Sequence, residues 1–435
     1  MFELALPVII SYLGIMTMGL VDLICVGRVS PAALGAVGVG TSIFSWFMIF
    51  GMGLLTGLDY LVAHAYGAGK KHDAHLSWAQ GFWVSWILGA PMTLALLYVS
   101  HHLEWFGINP EVIAPSRDYL FILSLSLIPV YLFASSRQFL QAQGIARPAA
   151  VILILSNVMN ALANWVLVLG HAGFPAMGAT GSAYATLIAR VFMVAAMFGV
   201  HYLYDRRKDH HFEKYGIPFD RESMRKLLKL GIPSALQMTF EVGGFAFSTT
   251  LAARLASEAL AAHQIVLNIA SMTFMVPLGI SSATAVLVGR EMGRGDKSAA
   301  AKVGWKGLAM GVGFMAISSL CLLLFSTRLI ELYTTNPSVH AMAMNILLIA
   351  ALFQLSDGAQ VVASGALRGL ADTKTSMIAN LLGHWGIGIP IGIALCFSYG
   401  RGLTGLWTGL ALGLTAVAAC LVWRWIHLCR KTAQV

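Results

Sequence analysis

The sequence predicts an all-α polytopic membrane protein with twelve transmembrane helices in two parallel six-helix halves. Three observations predict it. First, the 435 residues are 58% hydrophobic and only 11% charged, with a mean hydropathy of +0.75. A soluble chain of this length cannot hide that much apolar side chain, because roughly 55–60% of an ordinary protein surface is already apolar. Second, apolar stretches of about 20 residues, each sufficient for one helical crossing, recur along the whole chain. Third, the chain matches itself at a constant offset of 226 residues over roughly 80 positions.

The spans follow in order. Residues 4–27 form the first, interrupted chemically by Asp22 inside "TMGLVDLICVG", and 35–62 the second, with Asp59 toward one end. Residues 77–100 and 117–140 are the third and fourth, the latter carrying Pro129. The fifth, 149–170, contains "SNVMNALANW", and the sixth, 181–204, contains Ser182, Thr186 and Arg190. The seventh, 229–252, carries Glu241, and the eighth, 260–288, carries Pro277. The ninth is 303–326, and the tenth, 341–366, holds Asp357. The eleventh, 374–397, holds Pro390, and 403–428 completes the set. The three prolines are expected to interrupt spans 4, 8 and 11.

Basic residues alternate with the spans. The connections after spans 2, 4, 6, 8 and 10 contain Lys70 and Lys71, Arg147, the stretch from Arg206 to Lys229, Arg290 to Lys306, and Arg368 to Lys374, and the tail adds Arg430 and Lys431. The opposite connections hold little beyond Arg28, Arg254, Arg328 and Arg401. The positive-inside rule then places both termini in the cytoplasm. The net charge of +9 is a topology signal rather than a nucleic-acid footprint, since no basic patch stands apart from these loops. The first span begins with Glu3, lacks a basic n-region and is too long for a signal peptide. The five cysteines form no CxxC pair, so no disulfide framework or zinc site is expected, and His64, His72 and His75 read as polar loop residues. Neither GxxxxGK[ST] nor HExxH occurs, which argues against a phosphate loop and a metalloprotease.

The self-match pairs Pro7 with Pro233, Gly53 with Gly279, Gly67 with Gly293 and Lys71 with Lys297. "AYGAGKKHDA" at 65–74 falls on "EMGRGDKSAA" at 291–300, so both read as turns between spans. The match resumes with "QGIARP" at 143–148 against "RGLADT" at 368–373, and "GATG" at 178–181 against "GLTG" at 402–405. The domains expected are therefore an N-half at 1–204, a charged cytoplasmic linker at 205–228 and a C-half at 229–435. Six spans per half is an even number, so the halves run parallel, an architecture used by transporters with a midplane site.

Ionisable residues inside spans are costly and mark function by default. Asp22, Asp59, Arg190, Glu241 and Asp357 are the principal ones, Arg137 and Arg368 lying near span ends where they can snorkel. In span 5, Asn157, Asn160 and Asn164 are spaced three and four residues apart, on one helical face. With Asp22, Ser182 and Thr186 of the same half they form a candidate oxygen-lined pocket for a cation or proton; a plain interhelical hydrogen-bond seam is the alternative. Glu241 and Asp357 form the C-half candidate. Asp22 aligns with Ser248, so the halves share a scaffold and differ in chemistry. Arg190 fits a structural role or that of counter-charge to a carboxylate.

"MGLVDLICVGR", "AAHQIVLNIASMTFMVPLGIS" and "DGAQVVASGALRGLADTKTSM", in two six-span halves, resemble the multidrug and toxic compound extrusion (MATE) family over the whole chain. Glu241 with Asp357 is similar to its NorM-like branch. The resemblance implies the MATE/MOP fold, a V-shaped alternating-access antiporter, exporting small cationic amphiphilic drugs or toxins against Na+ or H+. It implies no cofactor beyond the coupling ion. It places coupling cation or drug at Glu241 and Asp357, and an N-half ion site at Asp22, Asn160, Asn164 and Thr186. Phe353 stands where NorM-like proteins often carry a tyrosine, one turn before Asp357, and offers a ring face instead of a phenol oxygen. The expected setting is a lipid bilayer, a bacterial inner membrane, with the protein a monomer and no nucleic-acid partner. A lipid-linked oligosaccharide flippase of the same superfamily is the alternative, but its anionic cargo predicts cavity arginines, and this chain offers mainly acids. A channel should show a pore motif and an enzyme a nucleophile–base or metal motif; neither is found, and no enzymatic activity is expected.

Overall fold

The computed structural model describes residues 1–107, 110–208 and 216–433. Twelve long helices follow one another: α1 Phe2–Gly27, α2 Pro31–Gly67, α3 Lys71–Ser100, α4 Pro110–Ala142, α5 Arg147–Leu167, α6 Gly178–Lys208, α7 Arg221–Ala252, α8 Ser257–Gly293, α9 Lys297–Leu324, α10 Pro337–Arg368, α11 Thr373–Ser398 and α12 Gly402–Ala433. Among the described residues, eleven carry stretches long and apolar enough to cross a membrane. The twelfth, α7, spans 32 residues and is less apolar because Gln237, Thr239 and Glu241 occupy its middle.

Capping chemistry sets many boundaries. Ser30 accepts the backbone N–H of Ala33 at 3.1 Å, and Pro31 opens α2 where no N–H is needed. Asp296 accepts from Ala299 at 2.8 Å to open α9, and Asn336 with Pro337 opens α10. Gly69 and Gly295 take positive φ, +74° and +80°, in the turns α2–α3 and α8–α9, a conformation that glycine adopts without a Cβ clash.

The internal repeat is visible in the helix bounds. Pro31 and Ser257, Gly67 and Gly293, Lys71 and Lys297, Ala142 and Arg368, and Arg147 and Thr373 are helix termini at the 226-residue offset. Two compact units result: Ile10–Gly231, and Met1–Ile9 with Ile232–Val435. These bounds differ from the 1–204, 205–228 and 229–435 expected. The first turns of α1 group with the second repeat, and the first turns of α7 with the first. Residues 209–215 of the linker lie outside the described residues, and Arg221 already begins α7.

The first unit centres on fully buried Trp78, Tyr131, Phe44, Leu55 and Leu58, and the second on Trp407, Phe353, Ile346, Leu347 and Leu251. The outer faces are apolar. On α5, Val151, Ile154, Leu155, Val158 and Leu162 are each more than half exposed, while Ser156, Asn160 and Asn164 are buried. This reversal of the soluble pattern is what a helix facing lipid requires. The prolines act unequally. A break at Leu125–Ser126 divides α4 just before Pro129. Pro277 lies inside an unbroken α8, and Pro390 opens a short α-helical stretch between two π-helical segments of α11. The expected interruption of span 8 is thus corrected: a membrane helix can carry proline without breaking.

Candidate functional site

Each unit gathers buried polar groups around an acid. In the first unit Met18, Asp22 and Val26 share the buried face of α1, while Leu20, Leu23 and Ile24 are exposed. Asp22 is only 5% exposed. Its Oδ1 accepts from Asn164 Nδ2 at 2.7 Å and from Asn160 Nδ2 at 3.1 Å, and its Oδ2 accepts from Thr186 Oγ1 at 2.7 Å. Asn164 also reaches Asn160 Oδ1 at 3.2 Å, and Asn160 Nδ2 lies 3.5 Å from Thr186 Oγ1. Three donors from α5 and α6 therefore converge on one carboxylate of α1. Charge-assisted hydrogen bonds of this kind are roughly twice as strong as neutral ones.

Two members of the expected N-half set stand apart. Asn157 turns its amide to the backbone oxygens of Gly14 and Leu153, both at 2.9 Å, and does not reach Asp22. It ties α5 to α1 as a seam. Ser182, one turn before Thr186, is fully buried and its Oγ makes no hydrogen bond, so it lies beside the set without joining it. Arg190 donates to Ser126 Oγ at 2.6 Å, at the break in α4, and covers the Phe44 ring at 4.8 Å. Asp59 is buried on the second half of α2.

In the second unit Gln360 bridges the two acids. Its Nε2 donates to Glu241 Oε1 at 2.7 Å and lies 3.4 Å from Asp357 Oδ1. One α-turn before Glu241, Gln237 Oε1 accepts from Ser364 Oγ at 2.9 Å. Gln360, Gln237 and Ser364 were not among the residues expected here. For Gln360 and Ser364 the signal is present: Gln354, Asp357, Gln360 and Ser364 recur at steps of three, three and four, the same one-face spacing as the span 5 asparagines.

Phe353 lies one turn from Asp357. It stacks on Trp407 with centroids 5.9 Å apart and planes at 18°, inside the apolar core. Trp407 in turn donates to His263 Nδ1 at 3.1 Å, and His263 Nε2 meets Thr249 Oγ1 at 2.9 Å.

Among the described residues, no group of three or more His, Cys, Asp or Glu side chains is arranged to hold a metal ion. Nor does Asp22, Glu241 or Asp357 form a salt bridge there.

The MatE family model matches residues 7–166 and 233–394, one match in each repeat. A multidrug resistance protein NorM of Burkholderia vietnamiensis is 38% identical over 443 residues, covering 100% of this chain and 94% of that protein. A probable multidrug resistance protein NorM of Brucella suis biovar 1 is 35% identical over 431 residues, covering 97% and 91%. Among solved structures, the eukaryotic MATE transporter AtDTX14 superposes with a TM-score of 0.88 at 20% identity, over 99% of this chain and 96% of that one. An outward-facing multidrug resistance MATE family transporter of the MOP superfamily gives 0.89 at 19%, over 100% and 96%. These two likenesses establish the MATE/MOP fold. With the family match and the NorM relatives, they lead to one conclusion: the chain belongs to the MatE family of transporters, on its NorM-like branch.

Proposed function

We propose that this transporter is a cation-coupled antiporter that exports small cationic amphiphilic compounds, with Na+ or H+ as the returning ion. The observation that carries the reading is the set of three acids buried in spans among amides and hydroxyls, without a salt-bridge partner among the described residues. Asp22 has the Arg190 guanidinium as a through-space counter-charge without an ion-pair contact, and a carboxylate in a membrane that lacks an ion pair is expensive and is retained where it binds something positive. The names of the NorM relatives, multidrug resistance proteins, support the same class of cargo.

The surrounding atoms suit a hard cation or a proton. Asn164 Oδ1 and Ser182 Oγ in the first unit, and Gln360 Oε1 in the second, are buried oxygens with no hydrogen-bond partner. Oxygen donors of this kind are what a hard cation takes, and a carboxylate among hydrogen-bonding neighbours equally holds a proton. In the cycle we envisage, the coupling ion loads the acids as drug leaves, and drug displaces the ion on the cytoplasmic side. Each ligand moves the equilibrium only by its differential affinity for the two states. One charge crossing about 100 mV gains about 2.3 kcal/mol. Exchange of one ion for one monovalent drug would draw nothing from the potential, and two acidic clusters accommodate a second ion. The setting is a bacterial inner membrane with both termini cytoplasmic.

The test is efflux from vesicles under separately imposed Na+ and proton gradients. Wild type is expected to export a cationic dye under at least one gradient. Asp22→Asn, Glu241→Gln and Asp357→Asn are each expected to lose most of that export. Normal gradient-driven export by all three variants would overturn the assignment.

A further inference from the structure

We propose that the segment Gly216–Asp220 and the first turns of α7 form a docking surface for anionic phospholipid headgroups of the leaflet they adjoin. The inference goes beyond the export reading and does not depend on it.

The segment is built into the first unit. His75 Nε2 donates to the Gly216 carbonyl at 2.7 Å, Trp83 Nε1 to that of Ile217 at 3.2 Å, and Gln80 Nε2 to that of Pro218 at 3.0 Å. Gln80 Oε1 accepts the backbone N–H of Asp220 at 3.1 Å. Side chains of α3 thus hold a stretch that has no regular structure of its own, and its side chains project from fixed positions. Ile217 is 38% exposed and Phe219 56%, the latter edge-on to Trp83 with ring centroids 6.2 Å apart. Two large apolar side chains therefore face outward at the end of a charged connection.

Helix geometry sets their depth. About 20 residues at about 1.5 Å each cover the roughly 30 Å hydrocarbon core of a bilayer. Counted back along α3 from His101, that length ends at Gly81, between Gln80 and Trp83. The segment therefore lies where hydrocarbon gives way to headgroups. Neighbouring helices carry the same level onward. A Cβ added at Gly81 would lie 2.6 Å from Leu58 Cδ1 of α2, and one at Gly57 would lie 3.1 Å from Leu227 Cδ1 of α7.

Met224 and Leu227 are buried, and the other face of α7 carries Arg221, Arg225 and Lys229 at steps of four, all exposed. This row brackets the level of Leu227, with Lys229 about half a turn to the membrane side and Arg225 about half a turn to the other. Both nearby acids are engaged: Glu222 pairs with Lys226 at 2.7 Å, and Asp220 caps Ser223. Arg221, Arg225 and Lys229 form no salt bridge among the described residues. Lys226 also interacts through space with Asp73 at the start of α3, next to the exposed Lys70 and Lys71.

The chemistry of the surface names its partner. Apolar side chains at the hydrocarbon boundary beside unpaired cations suit a molecule with acyl chains and an anionic phosphate head. The guanidinium groups match phosphate oxygens in pairs. A soluble anion would use the cations and leave Ile217 and Phe219 in water, and a zwitterionic lipid would bring no net charge. Each basic residue close to an anionic membrane surface adds about fivefold in affinity. The basic residues of the α6–α7 connection make this leaflet the cytoplasmic one.

The test is amide hydrogen exchange of the peptide over 216–229, in the full-length protein held in lipid nanodiscs. Discs of phosphatidylcholine alone are compared with discs in which about a third of the lipid is phosphatidylglycerol. Exchange is expected to slow at least about threefold with phosphatidylglycerol, as for a ligand present at about twice its Kd. The slowing should vanish in Arg221→Gln/Arg225→Gln/Lys229→Gln and persist in Arg221→Lys/Arg225→Lys, which keeps the charges. It should weaken in Ile217→Ser/Phe219→Ser. Equal exchange in the two bilayers, or slowing that survives the triple glutamine variant, overturns the proposal. Glycerol 3-phosphate added to phosphatidylcholine discs is expected to change nothing; slowing as large as that with phosphatidylglycerol would mean a soluble-anion site and would overturn the lipid assignment. The readout involves no transport, so a failure of the export reading leaves it interpretable.

Discussion

Asn164 on α5 donates its amide to Asp22 on α1 at 2.7 Å, the shortest contact that a side-chain amide makes to this carboxylate. Asn157, two helical turns earlier on the same face, donates to backbone instead. Removing the two amides should therefore have different effects. Asn164→Ala takes a donor from a buried acid, at about 1.5–3 kcal/mol for a hydrogen bond to a charged group. It should lower the unfolding midpoint in detergent and reduce gradient-driven efflux at least about tenfold. Asn157→Ala removes an interhelical bond of about 0.6 kcal/mol, and its efflux should stay within about twofold of wild type.

Gln360 holds the second pair of acids in register by sharing one nitrogen between Glu241 and Asp357. Without it the two carboxylates lose their common donor and repel each other whenever both are ionised. Gln360→Ala should raise the coupling-ion concentration for half-maximal efflux about tenfold, equivalent to about 1.4 kcal/mol. Gln360→Glu adds a third acid and should be worse than Ala in the same assay.

Phe353 packs face to face with Trp407 in the core. Phe353→Tyr would bring a hydroxyl into apolar surroundings, where an unpaired one costs about 1–3 kcal/mol. The variant should unfold at a lower temperature, while its dependence on Na+ and on pH in vesicle efflux is unchanged. A restored or altered ion dependence would return the residue to the site.

Helix α7 starts under a cap that titrates. Asp220 Oδ2 accepts the backbone N–H of Ser223 at 2.7 Å, and this bonding to Ser223 holds the half-buried Asp220 carboxyl below its usual 3.8. A carboxyl whose folded pKa is depressed contributes stability that is present above the unfolded value and lost as pH falls through the folded one. The protection factor of the Ser223 amide, its exchange rate relative to that of an unstructured amide at the same pH, should be high at neutral pH and fall only as the pH drops below 3.8. Asp220→Asn keeps a capping oxygen without the charge, and should show no such fall.

The spans, the repeat and the shared face of the span 5 asparagines are legible in the sequence because they are periodic, whereas the narrower set of Asp22 with Asn160, Asn164 and Thr186 is what the family resemblance implies. A helix 20 residues long has a composition, and a three-four spacing has a face. What spacing does not carry is direction. Asn157 shares the face of Asn160, but it lies level with Gly14, whose missing side chain exposes a carbonyl to it. Ser182 and Thr186 likewise share a face, and only the second meets the carboxylate. Phe353 was assigned by its position in a motif, and its fate depended on Trp407, more than 50 residues away. Gln360 is readable by the same spacing rule, but an amide in a membrane span is a weaker signal than an acid.

Helices α1 and α7 each begin in one compact unit and end in the other, changing at Ile9–Ile10 and Gly231–Ile232, within three residues of the repeat-related Pro7 and Pro233. The exchange is reciprocal: each repeat contributes the first turns of its leading helix to the unit formed mainly by the other. Neither half is self-sufficient as a continuous stretch of sequence, and a cut in the connection between α6 and α7 separates fragments that each still own part of the other.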